Sequence, residues 1–417
     1  MLDRRCFLMG AGLEFLSVAA FPQDAGIGGF AADSAGLACG YEVSPKGLPN
    51  EGILFVDHSR AGRGGHLGYA LVEYEDGKIL AFYPNCSAES HNPENFPMAL
   101  PVKGHSARGW MEYKRSDDGG RTWNDPKVLP YSKNLFDAEQ SGKTDKRVSA
   151  LAEKAIRTAD GDIVLFFLVC DITNNVIYWQ CRTPTYIVSA DGGHTWSEPS
   201  ELCDDRGRIY DARYYNGEIF VLHFKNDNEI EFLGNKKEHV YGLYVSADGG
   251  RSFAKRSELP FDTAGRLYGT MGVLDSDRLV VYIYNSKAED TMDYVVSDDG
   301  GRTWSDPKIA QFQKRIRNPQ MALLNGCYFM HGRSGGFGDE EGKGHFTLYS
   351  SRDGLTWDAG VYLRMRTAGL GAYSNSIVVG SLNASKRKRL LIQASHAYED
   401  HLTNVYHWWL DTPGEKQ

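Results

Sequence analysis

A segment of eight residues recurs along the chain and constrains the fold more than any other feature. Its fourth copy, which starts at Ser297, reads Ser-Asp-Asp-Gly-Gly-Arg-Thr-Trp. The other copies begin at Ser116, Ser189, Ser246 and Ser351, and the last of them is one residue shorter. Successive copies lie roughly 50 to 75 residues apart, a spacing typical of one supersecondary unit per copy. The chain is therefore predicted to be an array of similar units.

The composition of the segment predicts a tight turn with an aromatic anchor. Its aspartate can accept hydrogen bonds from backbone N–H groups inside the turn, its paired glycines permit positive φ, and its threonine hydroxyl can close the loop. The final tryptophan, replaced by Phe253 in the third copy, supplies a large apolar surface that can pack between neighbouring sheets. Each copy is thus expected to form a hairpin turn that contacts the next sheet.

This segment resembles the Asp box of the sialidase superfamily, and its five copies extend the resemblance over most of the chain. In that superfamily the box is architectural, which implies that the repeated aspartates support the fold and take no part in catalysis. The resemblance also implies a β-propeller, in which small sheets are arranged around a central channel.

The strand pattern between the boxes predicts six blades. Three strand-like segments precede the first box, at Tyr69–Tyr74, Lys78–Tyr83 and Gly109–Arg115, and a fourth follows it at Lys127–Pro130. Later units open with inner-strand candidates at Ser149–Arg157, Ile209–Tyr215, Leu267–Leu274 and Asn318–Leu324. The sixth unit has no box and only three strands, and Gly52–Asp57 is placed to add the fourth and close the ring. The predicted fold class is all-β, a six-bladed β-propeller over residues 41–417.

Residues 1–40 are predicted to lie outside the propeller as an export signal and a linker. Arg4 and Arg5 precede a short apolar run, which resembles a twin-arginine export signal. Glu14 interrupts that run, and an ordinary disordered tail is the alternative. The Gly/Ala-rich stretch up to Gly40 is typical of a linker. No apolar run reaches the roughly 18 residues of a membrane span. The prediction is an exported protein, periplasmic or extracellular.

Charge and cysteine content bear on the remaining protein classes. The net charge of −8, from 46 Lys+Arg and 54 Asp+Glu, argues against a nucleic-acid partner. Glu153 and Lys154 are interpreted as a buried structural pair in an inner strand. The cysteines match no zinc-binding spacing and are interpreted as buried thiols or one disulfide, with Cys170 and Cys181 as the candidate pair. No cofactor is expected, and a structural metal ion is left open because several histidines are clustered in the first unit.

Strand direction predicts which residues surround the mouth of the central channel. In antiparallel blades the boxes lie on one face, and the residues that lead into each innermost strand lie on the other. Almost every unit has a cation or a phenol at this point: His66, Arg147, Arg208, Arg266, Arg315, Arg317 and Tyr373. Loops on the same face add His91, His105, Arg333 and His396. Because converging guanidinium groups repel one another unless an anion lies between them, an acidic ligand is predicted. Surface ion pairs and loop histidines are the alternative interpretation.

The chain differs from sialidases at two catalytic positions and resembles them at others. Sialidases have an Arg-Ile-Pro element at the first inner strand and a catalytic Asp shortly before the first box, whereas this chain has His66-Leu67-Gly68 and His105 there. Ala372-Tyr373-Ser374 resembles the region of the sialidase nucleophile, a Tyr paired with a Glu. The resemblance implies that a carboxylate could be held by Arg208, Arg317 and Arg333.

A His and a Tyr beside a cation-bound carboxylate suit β-elimination, in which the proton next to a uronate carboxyl is removed and the leaving oxygen is protonated. This set is similar to that of the ulvan lyases of polysaccharide lyase family 25, which are secreted propellers. The resemblance implies that His66 and Tyr131 form the acid/base pair. Arg147 would neutralise the carboxylate, with His105 assisting. The expected substrate is an acidic polysaccharide or oligosaccharide.

Two other functions remain open. A sialidase or another glycoside hydrolase would depend on Tyr373 as its nucleophile. A non-catalytic glycan-binding propeller would have aromatic platforms and cations without a placed acid/base pair. Co-location of His66, His105 and Tyr131 in one pocket would argue against the binding module.

Overall fold

The strands of the protein form six sheets, which correspond to six blades. The computed structural model describes residues 39–44, 52–89, 104–174, 180–228, 234, 236–274, 278–334, 345–364 and 373–411. All of them belong to one compact unit, which runs from Ala35 to Gln417. The predicted export signal and most of the linker over residues 1–40 lie outside the described residues and stay predictions.

The strands lie within a few residues of the positions predicted from the sequence. Two N-terminal strands, β1 (Glu42–Ser44) and β2 (Ile53–Val56), precede a 3-10 turn at Ser59–Ala61. Blade I contains β3 (Ala70–Glu75), β4 (Lys78–Cys86), β5 (Gly109–Ser116) and β6 (Lys127–Val128). After helix α1 (Pro130–Gln140), blade II contains β7 (Val148–Arg157), β8 (Ile163–Asp171), β9 (Gln180–Cys181), β10 (Thr185–Ser189) and β11 (Ser200–Glu201).

The remaining blades repeat the four-strand pattern. Blade III contains β12 (Gly207–Tyr215), β13 (Glu218–Lys225), β14 (Tyr241–Ser246) and β15 (Ala254–Glu258). Blade IV contains β16 (Arg266–Val273), β17 (Leu279–Asn285), β18 (Thr291–Ser297) and β19 (Lys308–Gln311). Blade V contains β20 (Arg317–Leu324), β21 (Cys327–Arg333), β22 (His345–Ser351) and β23 (Val361–Arg364). Blade VI contains β24 (Ser374–Val379), β25 (Arg389–Glu399) and β26 (Leu402–Asp411). The all-β class and the six blades are thus confirmed.

The N-terminal strands close the ring on blade VI. Strand β26 pairs antiparallel with β2, where Ile53 lies opposite His407, and with β1, where Glu42 lies opposite Asp411. The predicted contribution of Gly52–Asp57 is confirmed, and β1 adds a second short strand that was not predicted. Both strands cover the outer edge of the last sheet, which would otherwise present unpaired backbone groups.

Each box forms the turn between the third and fourth strand of its blade. In the first box, Asp118 Oδ1 accepts hydrogen bonds from the backbone N–H groups of Arg121 and Thr122, both at 2.9 Å. The Thr122 hydroxyl donates to the other carboxylate oxygen at 2.6 Å, and Ser116 donates to Oδ1 at 2.8 Å. Slight burial raises the pKa of Asp118, but these hydrogen bonds outweigh it and lower the pKa to about 2. The aspartate therefore closes its own turn, as the resemblance to the Asp box implied.

The second glycine of a box brings it against the preceding blade. Gly301 has φ of 80°, and a Cβ atom there would lie 2.2 Å from Leu243 Cδ2 in β14. Equivalent glycines in other boxes approach Trp409, Leu80 and Val164 in the same way. The indole N–H of Trp304 donates to Ser257 Oγ at 2.9 Å, also in the preceding blade. The boxes thus connect neighbouring blades around the ring.

We expect Gly301→Ala to lower the free energy of unfolding by about 3 kcal/mol, because the new methyl group combines a left-handed backbone penalty with overpacking. Gly217→Ala is the matched control, since Gly217 has a similar φ of 84° but would place its Cβ with no atom within 4 Å. That variant should lose only about 1 kcal/mol. Urea denaturation measures both values, and equal losses would show that the blade contact contributes nothing.

The structure corrects the predicted disulfide. Cys39, expected in a linker outside the fold, is buried and bonded to Cys327 at the start of β21. Cys170 and Cys181 are register partners in β8 and β9, but both are buried thiols, and Cys170 Sγ donates a hydrogen bond to Ser149 O at 3.7 Å. The prediction of a Cys170–Cys181 bond was therefore wrong. The interpretation as buried thiols is confirmed for Cys86, Cys170 and Cys181, while Cys203 is only partly buried.

Helix α1 is an insertion that the strand pattern did not predict. The expected strand over Lys127–Pro130 ends at Val128, and Pro130 begins the helix, a position where its missing N–H costs nothing. Ser132 Oγ accepts a hydrogen bond from Met111 N at 2.8 Å and so attaches the helix to β5. Tyr131 consequently lies in a helix. In the part of the chain that the structure describes, no helix is long and apolar enough to cross a membrane.

Candidate functional site

The inner strands of four consecutive blades each contain a β-bulge. The register shifts lie between Ala152 and Lys154 in β7, between Ile209 and Asp211 in β12, between Leu267 and Gly269 in β16, and between Arg317 and Gln320 in β20. A bulge redirects the side chain of the extra residue. Here the extra residues line one central pocket: Glu153, Tyr210, Tyr268 and Asn318. The cavity has a volume of ≈ 30 Å³, enough for a small polar group.

Backbone strain is concentrated around this pocket. Tyr268, Asn318 and His105 have φ values of 30°, 52° and 56°, in the left-handed region that non-glycine residues rarely adopt. The other described non-glycine residues with positive φ, Asn216, Asn325 and Asp400, lie in the turns between two strands. Strain of this kind costs about 1 to 3 kcal/mol per residue and is retained mainly at functional sites.

Three buried histidines lie together beside the pocket. The ring centroid of His66 is 4.0 Å from that of His105 and 6.2 Å from that of His401, and His105 and His401 are 5.6 Å apart. Burial, reinforced by the nearby His105 and Arg333, holds the pKa of His66 well below its usual range. Both ring nitrogens of His66 are buried without a hydrogen-bond partner among the described residues. At neutral pH His66 is therefore a neutral imidazole with an unused acceptor.

The sequence prediction identified His66 and His105 but missed His401. This residue lies in the turn between β25 and β26, on the same face as the other second-to-third-strand loops. His401 could have been predicted in the same way as His105 and Arg333, because all three were expected in loops on the face opposite the boxes. His91 was also a candidate, and it lies outside the described residues. No group of His, Cys, Asp or Glu side chains in the described ranges is arranged to hold a metal ion.

Tyr373 is the residue at which the pocket and the histidine cluster meet. It precedes β24, lines the pocket, and places its ring 4.5 Å from that of His66. Its hydroxyl is 2.8 Å from the hydroxyl of Tyr268. The guanidinium carbon of Arg333 lies 4.7 Å from its ring centroid. The structure thus combines a neutral imidazole, two phenols and a guanidinium group within one buried cluster.

The predicted arginines lie around the same cluster with different carboxylate partners. Arg208 Nη2 is 3.0 and 3.1 Å from the two carboxylate oxygens of Glu153, and both side chains line the pocket. Arg317 lies 3.6 Å from Glu289 and stacks over Tyr284. Burial, together with the positive charge of Arg317, lowers the pKa of Arg333. A negative charge next to Arg317 and Arg333 would therefore be stabilised.

Glu153 and Lys154 do not pair with each other, contrary to the prediction. The bulge in β7 sends the two side chains to different partners. Glu153 pairs with Arg208, and Lys154 Nζ lies 3.1 Å from Asp211 Oδ1 beneath the pocket. The interpretation of Lys154 as a buried structural residue fits its contacts.

Tyr131 and Arg147 lie apart from the cluster. The Tyr131 hydroxyl is 3.0 Å from Thr185 Oγ1 in blade II, and its ring packs edge-on against Phe167. Arg147 has a side chain that is 41% exposed and forms an ion pair with Glu139 of α1 at 3.3 Å. No hydrogen bond or ring contact joins Tyr131 to His66 in the described part of the chain. The catalytic roles of Tyr131 and Arg147 stay predictions, but the geometry assembles His66 with Tyr373 instead.

Sequence comparison supports the interpretation of the repeats. A family model described as BNR/Asp-box repeat matches residues 295–306, which include the fourth box. No curated protein matches the chain.

Solved structures share the fold at low sequence identity. A Hadza microbial sialidase is 14% identical, with a TM-score of 0.59 over 86% of this chain and 68% of that chain. The intramolecular trans-sialidase of Ruminococcus gnavus is 11% identical, with a TM-score of 0.55 over 88% and 99%. An α-L-arabinanase of Penicillium chrysogenum is 12% identical, with a TM-score of 0.54 over 87% and 97%. The protein therefore has the fold of sialidase-type Asp-box propellers.

Proposed function

We propose that the protein is an enzyme of acidic glycans, and specifically a polysaccharide lyase that cleaves next to a uronic acid by β-elimination. The observation that carries this proposal is the contact between His66 and Tyr373, whose rings lie 4.5 Å apart beside Arg333. That pair replaces the pair of His66 and Tyr131 that the sequence resemblance implied. The propellers of similar fold include sialidases and an arabinanase, which supports a glycan as the substrate.

An acidic sugar fits the electrostatics of the site. Arg317 and Arg333 are close enough to oppose each other's charge, and a carboxylate beside both would relieve that repulsion. Arg208 already has a carboxylate partner in Glu153, so its N–H groups and the Glu153 oxygens suit sugar hydroxyls rather than a second anion. The substrate carboxylate is therefore assigned to the side of the site that contains Arg317, Arg333 and Tyr373.

The same residues can perform the elimination. A cation beside the uronate carboxylate stabilises the negative charge that develops when the neighbouring C–H bond breaks. His66, kept neutral by burial, accepts that proton, and Tyr373 donates its phenolic proton to the leaving glycosidic oxygen. The C–O bond breaks and a C=C bond forms. The proton on His66 then returns to the Tyr373 oxygen, so the enzyme is regenerated without a net change in protons.

A sialidase-type hydrolase is the second candidate, and the position of Tyr373 favours it. Tyr373 precedes the inner strand of the last blade, where the sequence resembles the sialidase nucleophile region. The hydroxyl of Tyr373, however, contacts Tyr268, whereas a tyrosine nucleophile in sialidases is paired with a glutamate. His105 occupies the position expected for the acid, and burial holds its pKa well below the usual range, so it is a poor proton donor at neutral pH.

The lyase proposal predicts rising absorbance near 235 nm when the purified protein acts on uronate-containing polysaccharides, because elimination creates an unsaturated uronate. A fluorogenic sialoside assayed in parallel should remain intact. Arg333→Met should lower kcat/KM on the responding polysaccharide about 100-fold, since a charge-assisted contact to the carboxylate is lost. Arg256→Met is the matched control, because Arg256 lies on the outer strand of blade III and forms an ion pair with Glu218 of β13. Sialoside cleavage with flat absorbance would contradict the lyase and support the hydrolase.

Export is part of the same proposal. The twin-arginine-like segment at Arg4-Arg5 motivates it, and the Cys39–Cys327 disulfide is the kind of bond that persists in oxidising compartments. The absorbance assay, applied to separated cell fractions, should therefore find the activity outside the cytoplasm. Activity confined to the cytoplasmic fraction would contradict export without bearing on the lyase reaction.

A further inference from the structure

Tyr268 is held in an unusual backbone conformation with its hydroxyl on Tyr373. The two hydroxyl oxygens are 2.8 Å apart, and both side chains are buried. Tyr268 is the extra residue of the bulge in β16 and has φ of 30°. In a regular strand, successive side chains point to opposite faces of the sheet. Because Tyr268 is the extra residue of a bulge, the bulge and its strained backbone determine where the hydroxyl points.

The surroundings of Tyr268 fix this orientation. Its ring lies edge-on to Tyr210 at 5.8 Å and packs against Tyr284 at the same distance. The following residue, Gly269, has no room for a side chain, because a Cβ there would lie 2.8 Å from Leu222 Cδ2. The phenol is therefore positioned before any ligand binds.

The groups that face Tyr373 all favour a negative charge on its oxygen. Among the described residues they are His66 before β3, Tyr268 on β16, Arg317 on β20 and Arg333 on β21. Two guanidinium groups and a hydroxyl donor stabilise a phenolate, and a neutral imidazole does not oppose it. The carboxylates of Glu153 and Glu289 are paired with Arg208 and Arg317.

We propose that Tyr268 is a positioning residue whose hydroxyl donates a hydrogen bond to the Tyr373 oxygen when Tyr373 gives up its proton. In the elimination, the proton of Tyr373 passes to the leaving oxygen, and the phenolate that remains accepts the Tyr268 hydrogen bond until the proton returns from His66. Tyr268 keeps its own proton throughout. This inference rests on the proposed function only in requiring that Tyr373 reacts.

The test is the split between kcat and KM for Tyr268→Phe, which removes only the hydroxyl. Without the hydrogen bond the Tyr373 phenolate that forms during the reaction is less stable, whereas the bound substrate keeps its contacts. We expect kcat to fall about 10- to 100-fold while KM stays unchanged.

Two controls separate this role from simple support of the pocket. Tyr210→Phe removes the hydroxyl of another bulged pocket residue and should affect KM rather than kcat, because the hydroxyl pair consists of Tyr268 and Tyr373. The double variant Tyr268→Phe, Tyr373→Phe should be no slower than Tyr373→Phe alone, because Tyr268 acts only through the Tyr373 oxygen.

The outcomes distinguish this inference from the proposed function. A Tyr268→Phe variant whose loss appears in KM, or adds to the loss of Tyr373→Phe, would show that Tyr268 only shapes the pocket. Unchanged kcat would also overturn the inference. If Tyr373→Phe retains full activity, Tyr373 does not react, and the proposed use of Tyr373 fails before Tyr268 is considered.

Discussion

Tyr373→Phe should reduce kcat on a uronate polysaccharide about a thousand-fold, because it deletes the only proton that the proposed acid can donate to the leaving oxygen. The variant keeps the aromatic ring, and the ring is what contacts His66 and Arg333. Substrate affinity should therefore change little, and the loss should appear in kcat rather than KM. Steady-state kinetics at 235 nm measure both constants.

Tyr131→Phe is the matched comparison for this prediction. The sequence resemblance gave the acid/base role to Tyr131, whereas the structure places its hydroxyl on Thr185 in blade II. We expect Tyr131→Phe to retain most of the activity. The opposite result, with Tyr131→Phe inactive and Tyr373→Phe active, would restore the original pairing of His66 with Tyr131 and would mean that the site rearranges when substrate binds.

Several of the residues predicted from strand direction are brought together by the structure, although Arg147, predicted by the same rule, lies apart from them. His66, Arg208 and Tyr373 lead into inner strands, and antiparallel pairing fixes which face such residues occupy once the boxes have set the strand order. His105 and Arg333 follow from the same rule applied to loops. This part of the site depends only on the topology of the blades, and topology was evident from the spacing of the boxes.

The residues that were missed depend on local irregularities. Glu153 and Tyr268 reach the pocket because each is the extra residue of a β-bulge, and a period of two residues along a strand cannot reveal a bulge. Tyr131 was assigned from the order of motifs in related enzymes. The insertion of helix α1 after β6 turned that residue towards blade II, so motif order did not determine its position.

Long-range contacts were equally invisible in the sequence. Cys39 and Cys327 are separated by 288 residues, and the closure of the ring by the N-terminal strands brings Cys39 near blade V. A hairpin made Cys170 and Cys181 the obvious pair, and the register did place them opposite each other. Cys170 and Cys181 are nevertheless thiols, so their pairing in the sheet does not by itself imply a disulfide.

Beneath the pocket, one buried network connects the inner strands of all six blades. Lys154 Nζ donates to Asn375 Oδ1 at 2.7 Å and lies 3.1 Å from Asp211 Oδ1. Asp211 Oδ2 accepts hydrogen bonds from the Thr270 hydroxyl and from Met271 N, both at 2.8 Å. The remaining members extend the network to blades V and I, through Gln320 and the carbonyl oxygen of Tyr69. Asn375 and Gln320 also line the pocket, so the network forms its floor.

Lys154→Met should therefore destabilise the protein by about 3 to 5 kcal/mol, the usual effect of removing one partner from a buried ion pair. The Asp211 carboxylate is fully buried and would lose its nearest lysine while retaining Arg213 at 3.0 Å. Chemical denaturation at pH 7 measures the loss. The double variant Lys154→Met, Asp211→Asn should recover part of it, because the uncompensated negative charge is then absent.

A surface lysine in an exposed ion pair is the control for the stability loss expected of Lys154→Met. Lys133 pairs with Asp137 one helical turn away, and the side chains of these residues are 30% and 55% exposed, so Lys133→Met should cost at most about 0.5 kcal/mol. If Lys154→Met costs no more than Lys133→Met, the buried network does not hold the blades together. If Lys154→Met is strongly destabilising but the double variant is no better, the cost arises from lost packing and hydrogen bonds rather than from the stranded charge on Asp211.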